Sequence, residues 1–374
     1  MTESEGDARE LKAEEQREMP VPALNYRPPV PQSYRPGIAL IGCGGITKHH
    51  LEAYQAADYP VVAFCDTCRE NAVAMRDAYY PDADVFDDAD QIFAQPEVEV
   101  VDLATHPKPR LELIRKALLA DKHVLSQKPF VTDIRKGLEL VNLAEERGRK
   151  LAVNQNGRWA PYFSYLRQAV KQGLLGDVAS CDMQIAWDHT WIRGTPFERI
   201  GHIVLYDFGI HWFDMVRCLF GDRSANSVFA QVERVPGQTL APPMNAQAMV
   251  QFDGGLASLA FRAHTTCDPE ECTIVTGTSG TFRSSGPVCA NDQVTLATSE
   301  GKATVKLEGA WFNDGFLGSM GELLCAIEED REPENSARSN LASLQLCFAA
   351  VASANSGAAV VPADVFEVQL GAAP

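Results

Sequence analysis

A regular alternation of strand and helix patterns between residues 37 and 156 constrains the fold of this 374-residue chain more than any other feature. The strand patterns are rich in β-branched residues and read GIALIGC, VVAFCD, VEVVDLA, HVLSQ and KLAVNQN. Between them lie segments with helical spacing of apolar residues, at 46–57, 69–79, 109–120 and 133–147. Strands that alternate with helices predict a parallel sheet covered on both faces. We therefore expect a doubly wound, α/β nucleotide-binding domain of the Rossmann type at residues 37–156.

The pattern changes at residue 157, so residues 157–374 are expected to form a second domain, of the α+β class. Helices are predicted near 160–172 and 202–220, and alternating apolar and polar segments follow up to about residue 307. Strands with one alternating face are typical of an open, mainly antiparallel sheet. Two more helices, near 314–329 and 338–354, are predicted to flank it.

Residues 1–36 have a different composition from the rest and are interpreted as an N-terminal arm. A charge-rich run, ESEGDARELKAEEQREM, is followed by the proline-rich PVPALNYRPPVPQSYRP. Two interpretations remain open. The arm is either a disordered tail or a segment that docks on a neighbouring subunit through Tyr26 and Tyr34.

Charge and cysteine usage exclude several classes of partner. The chain has 50 acidic and 33 basic residues, a formal net charge of -17, which disfavours nucleic acid and anionic membranes as partners. It has no apolar stretch of membrane-spanning length and no signal-peptide pattern, so we expect a cytoplasmic protein that does not bind membranes. The 10 cysteines are expected to be reduced, and the single Cys-x-x-Cys, Cys65 to Cys68, lacks a second pair, so no metal site is predicted.

The first strand ends in GCGGIT, a variant of the G-x-G-x-x-G phosphate-binding loop. Glycines at the first and third positions let the backbone turn tightly and approach a pyrophosphate, which then lies on the amide groups of the following helix. The pattern alone is weak, but here it follows a strand and opens a helix. The expected phosphate-binding residues are Gly42, Cys43, Gly44, Gly45, Ile46 and Thr47.

Asp66, at the end of the second strand, is expected to bind the ribose of the cofactor. It lies 24 residues after Gly42, about the interval at which a carboxylate reaches the adenosine ribose hydroxyls. Its charge would repel a 2′-phosphate, so NAD is the expected cofactor. Arg69 lies close enough in sequence to accept such a phosphate, which keeps NADP open as an alternative.

The segment IVLYDFGIHWFDMV at 203–216 places Asp207, His211 and Asp214 inside an apolar stretch. If it is helical, spacings of four and three residues put all three side chains on one face. Burial without partners would cost several kcal/mol, so we expect this face to line a substrate cavity. A satisfied pair on a helix surface is the alternative. Asp214 is given a supporting role, orienting a neighbour or pairing with Arg217.

Residues 121–130, DKHVLSQKPF, place a Lys-Pro pair at the end of a predicted buried strand. Together with GCGGIT, Asp66, DFGIH and NQNGRWAPYF, this stretch resembles the Gfo/Idh/MocA family of oxidoreductases over roughly residues 37–360. The resemblance implies use of NAD or NADP on sugars, inositols and related polyols. It also implies that residues 157–374 bind the substrate and form homodimers or homotetramers through the open face of the second sheet.

The resemblance also assigns roles to individual residues. Lys128 matches the lysine that binds the reacting hydroxyl, Asp207 and His211 match an aspartate and histidine dyad, and the Lys128–Pro129 bond is expected to be cis. Two positions depart from the family pattern, because Gln127 replaces a customary glutamate and Arg110 stands where many members have histidine. The cofactor contacts expected beyond the glycine loop are Asp66, Arg69, Thr105, His106, Gln127 and Lys128.

Oxidation of an alcohol needs a hydride acceptor and a base for the hydroxyl proton. We expect His211 to be that base, Asp207 to hold its imidazole in the useful tautomer, and Lys128 to bind the developing alkoxide. Indole rings next to charged hydrogen-bonding groups suit a sugar ring. The expected substrate contacts are Arg158, Trp159, Trp187, Asp188, His189, Asp207 and His211.

The leading hypothesis is an NAD(P)-dependent dehydrogenase that acts on a sugar, glycoside or polyol hydroxyl. A redox-neutral glycosidase or lyase that oxidises its substrate transiently with bound NAD is a second possibility within the same fold. A third is a regulator that binds the cofactor without catalysis. The presence of Lys128, Asp207 and His211 argues against the third.

Overall fold

The computed structural model describes residues 17–371, and its first half is built on a six-stranded parallel sheet with the order β3-β2-β1-β4-β5-β6. This is the strand order of dinucleotide-binding folds, and the predicted doubly wound domain is confirmed. The strands are β1 (Gly37–Ile41), β2 (Val61–Cys65), β3 (Asp84–Phe86), β4 (Val98–Leu103), β5 (His123–Gln127) and β6 (Leu151–Asn154). The helices are α1 (Thr47–Ala56), α2 (Arg69–Tyr79), α3 (Ala89–Phe93), α4 (Pro107–Leu119) and α5 (Ile134–Glu146).

The sequence pattern missed β3 and α3, which are short and lie at the edge of this sheet. The central strands were visible because every residue of β5 and β6 is buried, and a strand buried on both faces must be apolar or β-branched throughout. The strand order reverses direction between β1 and β4, so a crevice opens at the carboxyl ends of these strands. That crevice positions the candidate site.

The second sheet has eight strands in the order β14-β13-β12-β11-β7-β10-β9-β8 and is antiparallel except for the pair β7 and β10. The prediction of an open, mainly antiparallel sheet is confirmed. Its strands are β7 (Val178–Ala186), β8 (Ala225–Glu233), β9 (Asn245–Phe252), β10 (Gly255–Arg262), β11 (Glu270–Gly277), β12 (Gly280–Gly286), β13 (Gln293–Thr298) and β14 (Gly301–Lys306). The helices of this half are α6 (Pro161–Lys171), α7 (Ile210–Phe220), α8 (Trp311–Glu328) and α9 (Ala337–Ser356).

Helix α8 packs against the first sheet although it lies near the end of the chain. Its residues Phe316, Met320 and Leu323 share a core with Ile38 and Leu40 of β1. The packing therefore crosses the boundary proposed at residue 156, and the division of the chain into domains stays a prediction. This return of the chain holds the two halves together beside the crevice.

The described part of the N-terminal arm, residues 17–36, lies on its own chain. Tyr26 packs edge-on against Tyr165 with ring centroids 6.0 Å apart, and the backbone amide of Tyr34 donates to the Glu328 carboxylate at 2.9 Å. Both tyrosines therefore have partners within the same subunit, and docking of the arm on a neighbouring subunit stays a prediction. The charge-rich run up to residue 16 lies outside the described residues. Across residues 17–371, no helix is both long enough and apolar enough to cross a bilayer.

Candidate active site

The glycine-rich loop lies at the crevice, between the end of β1 and the start of α1. Gly42 has a φ of +96°, and a Cβ there would lie 2.9 Å from the carbonyl carbon of Ala104, so only glycine fits. Gly44 and Gly45 are exposed and face open space. Ile46 occupies the cap position of α1 with no side-chain cap from any described residue, while the amides of Thr47 and His49 donate to the carbonyls of Gly44 and Ile46.

Thr47 and Asp66 fix the shape of this loop. The Thr47 hydroxyl donates to the carbonyl of Gly42 at 2.8 Å, which gives the residue in the third glycine position a role of its own. The Asp66 carboxylate accepts from the backbone amides of Cys43 at 2.7 Å and Cys68 at 2.8 Å. The carboxylate thus lies directly beside the loop, where the sequence pattern placed a ribose contact. Arg69 donates to the carbonyl of Val85.

Arg110 ties the loop after β4 to the turn after β5. Its guanidinium is buried and donates to the carbonyls of Thr105, Gln127 and Pro129. Burial without a carboxylate contact lowers the pKa of Arg110 to about 10. The arginine that departs from the family pattern therefore joins two segments that border the crevice.

The other predicted cofactor contacts near Arg110 are Gln127, His106 and Thr105, and they differ in exposure and in hydrogen-bond partners. The Gln127 side-chain oxygen accepts from the backbone amide of Lys128 at 3.0 Å, so the amide folds onto its own turn. His106 is exposed at the start of α4, and its ring centroid lies 5.7 Å from that of Phe197 in the second half of the chain. The Thr105 hydroxyl is buried and has no partner among residues 17–371.

Lys128 connects the two halves of the chain. Its ammonium group donates to the backbone carbonyl of Asp207 at 2.9 Å and to the carboxylate of the same residue at 3.3 Å. Both side chains are mostly buried. The Lys128–Pro129 peptide bond is cis, as the family resemblance implied.

The segment that carries Asp207 and His211 is not one regular helix, which corrects the prediction of a single polar face. Residues Val204–Phe208 form a π-helical turn, closed by a bond from the Gly209 amide to the Val204 carbonyl at 2.7 Å, and α7 begins only at Ile210. A Cβ on Gly209 would lie 2.7 Å from the carbonyl oxygen of Leu205. The wider turn changes the angular spacing, so Asp207, His211 and Asp214 contact three different neighbours.

His211 is held by aromatic rings and not by Asp207. Its ring lies edge-on to Trp311 with centroids 5.5 Å apart, and its Nδ1 is buried with no partner in the described chain. Burial first, and then the charge of Lys128, hold the pKa of His211 well below its ordinary value. The imidazole is therefore neutral near pH 7. The expected hydrogen bond from Asp207 to this ring is absent within residues 17–371, because the Asp207 carboxylate binds Lys128.

Asp214 and Arg158 form a buried ion pair. The guanidinium donates to both carboxylate oxygens, at 2.7 Å and 2.6 Å, and Ser343 donates to the same carboxylate at 2.7 Å. Arg158 was expected to bind substrate and Asp214 to pair with Arg217 or orient a neighbour. The Asp214 carboxylate orients Arg158 and does not pair with Arg217, each charge of the pair neutralises the other inside the core, and the substrate contact of Arg158 stays a prediction.

Trp159 also belongs to the core. Its ring is buried against Gly318 of α8, where a Cβ would lie 2.2 Å from the indole, and the guanidinium of Arg167 lies over its other face. The indole therefore makes packing contacts, and its expected contact with substrate stays a prediction.

An aromatic cluster extends from the exposed surface to the neighbourhood of Lys128. The His189 ring stacks on Phe208 with centroids 3.9 Å apart, and the Trp191 indole donates to Nδ1 of His189 at 3.2 Å. Trp187 lies 4.8 Å from the same ring. The charge of Lys128 contributes to lowering the pKa of His189, which places the lysine near this cluster.

Asp188 forms hydrogen bonds within its own turn. Its two carboxylate oxygens accept from the backbone amide and the hydroxyl of Thr190, at 2.9 Å and 3.0 Å. The carboxylate therefore stabilises the short turn that presents Trp191, and its expected role as a substrate contact has no support in this geometry.

Trp311 and Phe208 contact the candidate site, although neither residue was predicted from the sequence. The Trp311 ring packs against the His211 ring. Its indole nitrogen donates a hydrogen bond to the side-chain oxygen of Asn156 at 2.8 Å, which fixes its position. It begins α8, 100 positions after His211, and no local pattern signals such a contact. Phe208 follows Asp207 directly, so it was within a recognised stretch but looked like ordinary core.

The cysteine pair near the cofactor loop has one buried thiol, Cys65, and one exposed thiol, Cys68. Burial raises the pKa of Cys65 to about 12, so this thiol stays protonated. Within residues 17–371, no three histidine, cysteine, aspartate or glutamate side chains are grouped as metal ligands.

Comparison with known proteins gives the same assignment for both halves of the chain. Residues 37–155 match the oxidoreductase family model with an NAD-binding Rossmann fold, and residues 163–283 match the GFO/IDH/MocA C-terminal domain. The D-apiose dehydrogenase of Paraburkholderia graminis is 26% identical over 335 residues, which is 86% of this chain and 88% of that protein. The inositol 2-dehydrogenase of Rhizobium meliloti is 25% identical over 325 residues, 84% of this chain and 95% of that protein.

A solved structure shows the same fold. The crystal structure of an oxidoreductase from Agrobacterium radiobacter in complex with NAD+, L-tartaric acid and magnesium superposes with a TM-score of 0.79 at 21% identity, covering 88% of this chain and 99% of that one. The two family matches, the strand order and the loop geometry agree. The chain belongs to the GFO/IDH/MocA family of oxidoreductases, and its first half is an NAD-binding Rossmann domain.

Proposed function

We propose that the protein is an NAD-dependent dehydrogenase that transfers a hydride between a hydroxyl-bearing carbon of a sugar, glycoside or polyol and nicotinamide. The observation that carries the proposal is the meeting of Lys128 with Asp207, next to the neutral imidazole of His211. The lysine comes from the carboxyl end of β5, where the fold binds dinucleotides, and the other two come from the second half of the chain. The sugar dehydrogenases among the relatives support the substrate class.

Three side chains take part in the removal of the hydroxyl proton. Lys128 keeps one N–H for the substrate oxygen after donating to the two oxygens of Asp207, and so stabilises the alkoxide as it forms. His211 accepts the hydroxyl proton. Its Nδ1 is closed off from solvent, which leaves Nε2 as the nitrogen that a substrate can reach. Asp207 orients Lys128, which replaces the role of holding the imidazole that the sequence suggested.

The residues of the first domain fit a dinucleotide. The open space over Gly44 and Gly45 and the uncapped start of α1 suit a pyrophosphate, and the Asp66 carboxylate beside the Cys43 amide suits ribose hydroxyls. When bound, the nicotinamide supplies the hydride acceptor. Asp66 favours NAD over NADP, because its charge opposes a 2′-phosphate and Arg69 donates to the Val85 carbonyl.

A substrate screen tests this proposal. The purified protein is incubated with NAD+ or NADP+ and a panel of monosaccharides, glycosides, inositols and sugar acids, and absorbance of the reduced nicotinamide is followed. NADH formation with a sugar or polyol is the expected result. Cleavage of a glycoside without net NADH would support the redox-neutral alternative. NAD+ binding without turnover of any panel member would support the regulator and contradict the proposal.

We also propose that the chain forms a homodimer or homotetramer through the open face of the second sheet. Phe229, Met249 and Leu256 are 39%, 50% and 50% exposed on β8, β9 and β10. Exposed apolar side chains on a broad sheet face are typical of an interface. Analytical ultracentrifugation should show an oligomer that Met249→Lys with Leu256→Lys dissociates, and a monomeric parent protein would refute the idea.

A further inference from the structure

The imidazole of His189 is fixed from three sides within the aromatic cluster. Phe208 stacks on its face with an interplanar angle of 16°, Trp187 lies 4.8 Å away, and the Trp191 indole nitrogen lies 3.2 Å from Nδ1. A ring held in this way cannot turn without losing both the stacking and the hydrogen bond. Its orientation is therefore set before any substrate binds.

The contact with Trp191 decides which nitrogen of His189 carries the proton. An indole N–H is a donor only, so Nδ1 must be the acceptor and a neutral ring must be protonated on Nε2. The ring is neutral because burial lowers the pKa of His189 to about 4, with the nearby Asp188 opposing this shift and the charge of Lys128 adding to it. Near pH 7 the hydrogen bond from Trp191 therefore determines the tautomer of His189.

Nε2 of His189 is left for a ligand. It has no hydrogen-bond partner among residues 17–371, yet it is not closed off from solvent as Nδ1 of His211 is. The ring also lies close enough to Lys128 for the lysine charge to act on it. Phe208, on which the ring stacks, directly follows the Asp207 that binds Lys128, so this unpaired, uncharged donor lies near the lysine.

We propose that Trp191 locks His189 as the Nε2–H tautomer, and that this N–H is a fixed donor to an oxygen of the substrate beside Lys128. The assignment rests on the proposed function for the identity of the substrate but not for the tautomer. A donor that cannot accept selects a hydroxyl, ring or carboxylate oxygen and disfavours an N–H or a cationic group at that position. His189 is thereby a specificity-determining residue, and Trp191 is its positioning residue.

The tautomer is measured by NMR on protein labelled with ¹⁵N-histidine, with NAD+ present, and the His189 signals are assigned from the spectrum of His189→Gln. The expected result is protonation at Nε2 alone, unchanged between pH 5.5 and 8.5. In Trp191→Phe, which keeps the aromatic contact, the spectrum should shift toward a mixture of tautomers. Trp191 is 54% exposed, so this variant is expected to fold.

His123 provides an internal control for that spectrum. Its Nδ1 accepts from the backbone amide of Lys150 at 2.9 Å, at the opposite end of β5 from Lys128, so its signals should not respond to Trp191→Phe. A proton on Nδ1 of His189 in the parent protein would overturn the proposal. So would an unaltered His189 spectrum in Trp191→Phe.

Kinetics with D-apiose and myo-inositol test the contact with substrate. His189→Gln keeps an N–H near the position of Nε2 and should retain KM within about threefold, whereas His189→Phe should raise KM about tenfold or more. The change should fall on KM rather than kcat if the contact exists before the chemical step. Equal losses in both variants would contradict it. If neither probe is oxidised by the parent protein, the choice of these two substrates fails, while the tautomer spectrum still decides the assignment of Trp191 and His189.

Discussion

The ammonium group of Lys128 holds both the backbone carbonyl and the carboxylate of Asp207, at 2.9 Å and 3.3 Å. Lys128 directly follows strand β5 of the Rossmann sheet, and Asp207 lies in a π-helical turn 79 positions later. The pair therefore connects the two halves of the chain. It also gives the lysine a fixed direction, which a solvent-exposed lysine does not have.

Replacement of Lys128 should remove most of the activity. In Lys128→Met the side chain keeps its approximate length but can no longer bind an alkoxide, so kcat/KM should fall by about 10² to 10⁴. Affinity for NAD+, measured by calorimetry, should change far less. Lys116→Met is the matched control, because Lys116 is an exposed lysine that pairs with Asp90 on the surface. Equal kinetics in the parent and Lys128→Met would remove the lysine from the mechanism.

The pH profile should report the neutral imidazole of His211. A base must be deprotonated to act, and a pKa held well below 6.5 keeps it deprotonated as the pH falls. We therefore expect kcat/KM to stay level from pH 7.5 to pH 6 as far as this residue is concerned. Since the charge of Lys128 contributes to the shift, the His211 pKa measured by NMR should rise in Lys128→Met. A His211 pKa of 6.5 or higher in the parent protein would contradict both statements.

Asp66 should control the choice of cofactor. Asp66→Ala loses the expected ribose contact and the repulsion of a 2′-phosphate, so KM for NAD+ should rise about tenfold and the preference over NADP+ should shrink by a similar factor. Initial rates with both cofactors give these values. Asp82→Ala, at an exposed position outside the loop, is the control. An unchanged ratio between the cofactors would place the selectivity elsewhere.

The Arg158–Asp214 pair should matter for stability. Asp214→Ala leaves a buried guanidinium without its carboxylate, and the free energy of unfolding should drop by about 3–5 kcal/mol. Asp222→Ala removes an exposed partner of Arg217 at 3.7 Å and should cost less than about 1 kcal/mol. Urea denaturation followed by circular dichroism compares the two. A small loss in Asp214→Ala would mean that the buried pair is not a main support of α7.

The sequence alone determined the architecture and the cofactor loop. Strands buried on both faces have to be apolar throughout, and a loop in which a Cβ would lie 2.9 Å from another backbone carbon has to carry glycine, so both features leave local patterns. The positions of Gly42, Asp66 and Lys128 relative to their strands follow from such patterns. The family resemblance then added Asp207 and His211 as their partners.

Only the tertiary structure decided which polar side chains meet. A π-helical turn cannot be recognised from residue spacing, and it changed the partners of Asp207, His211 and Asp214. The partner of Arg158, which was predicted to contact substrate, could not be identified from local spacing, because Asp214 lies 56 positions away in the chain. Trp311 reaches His211 for the same reason, since contacts between distant segments arise from packing and leave no periodic trace in the chain.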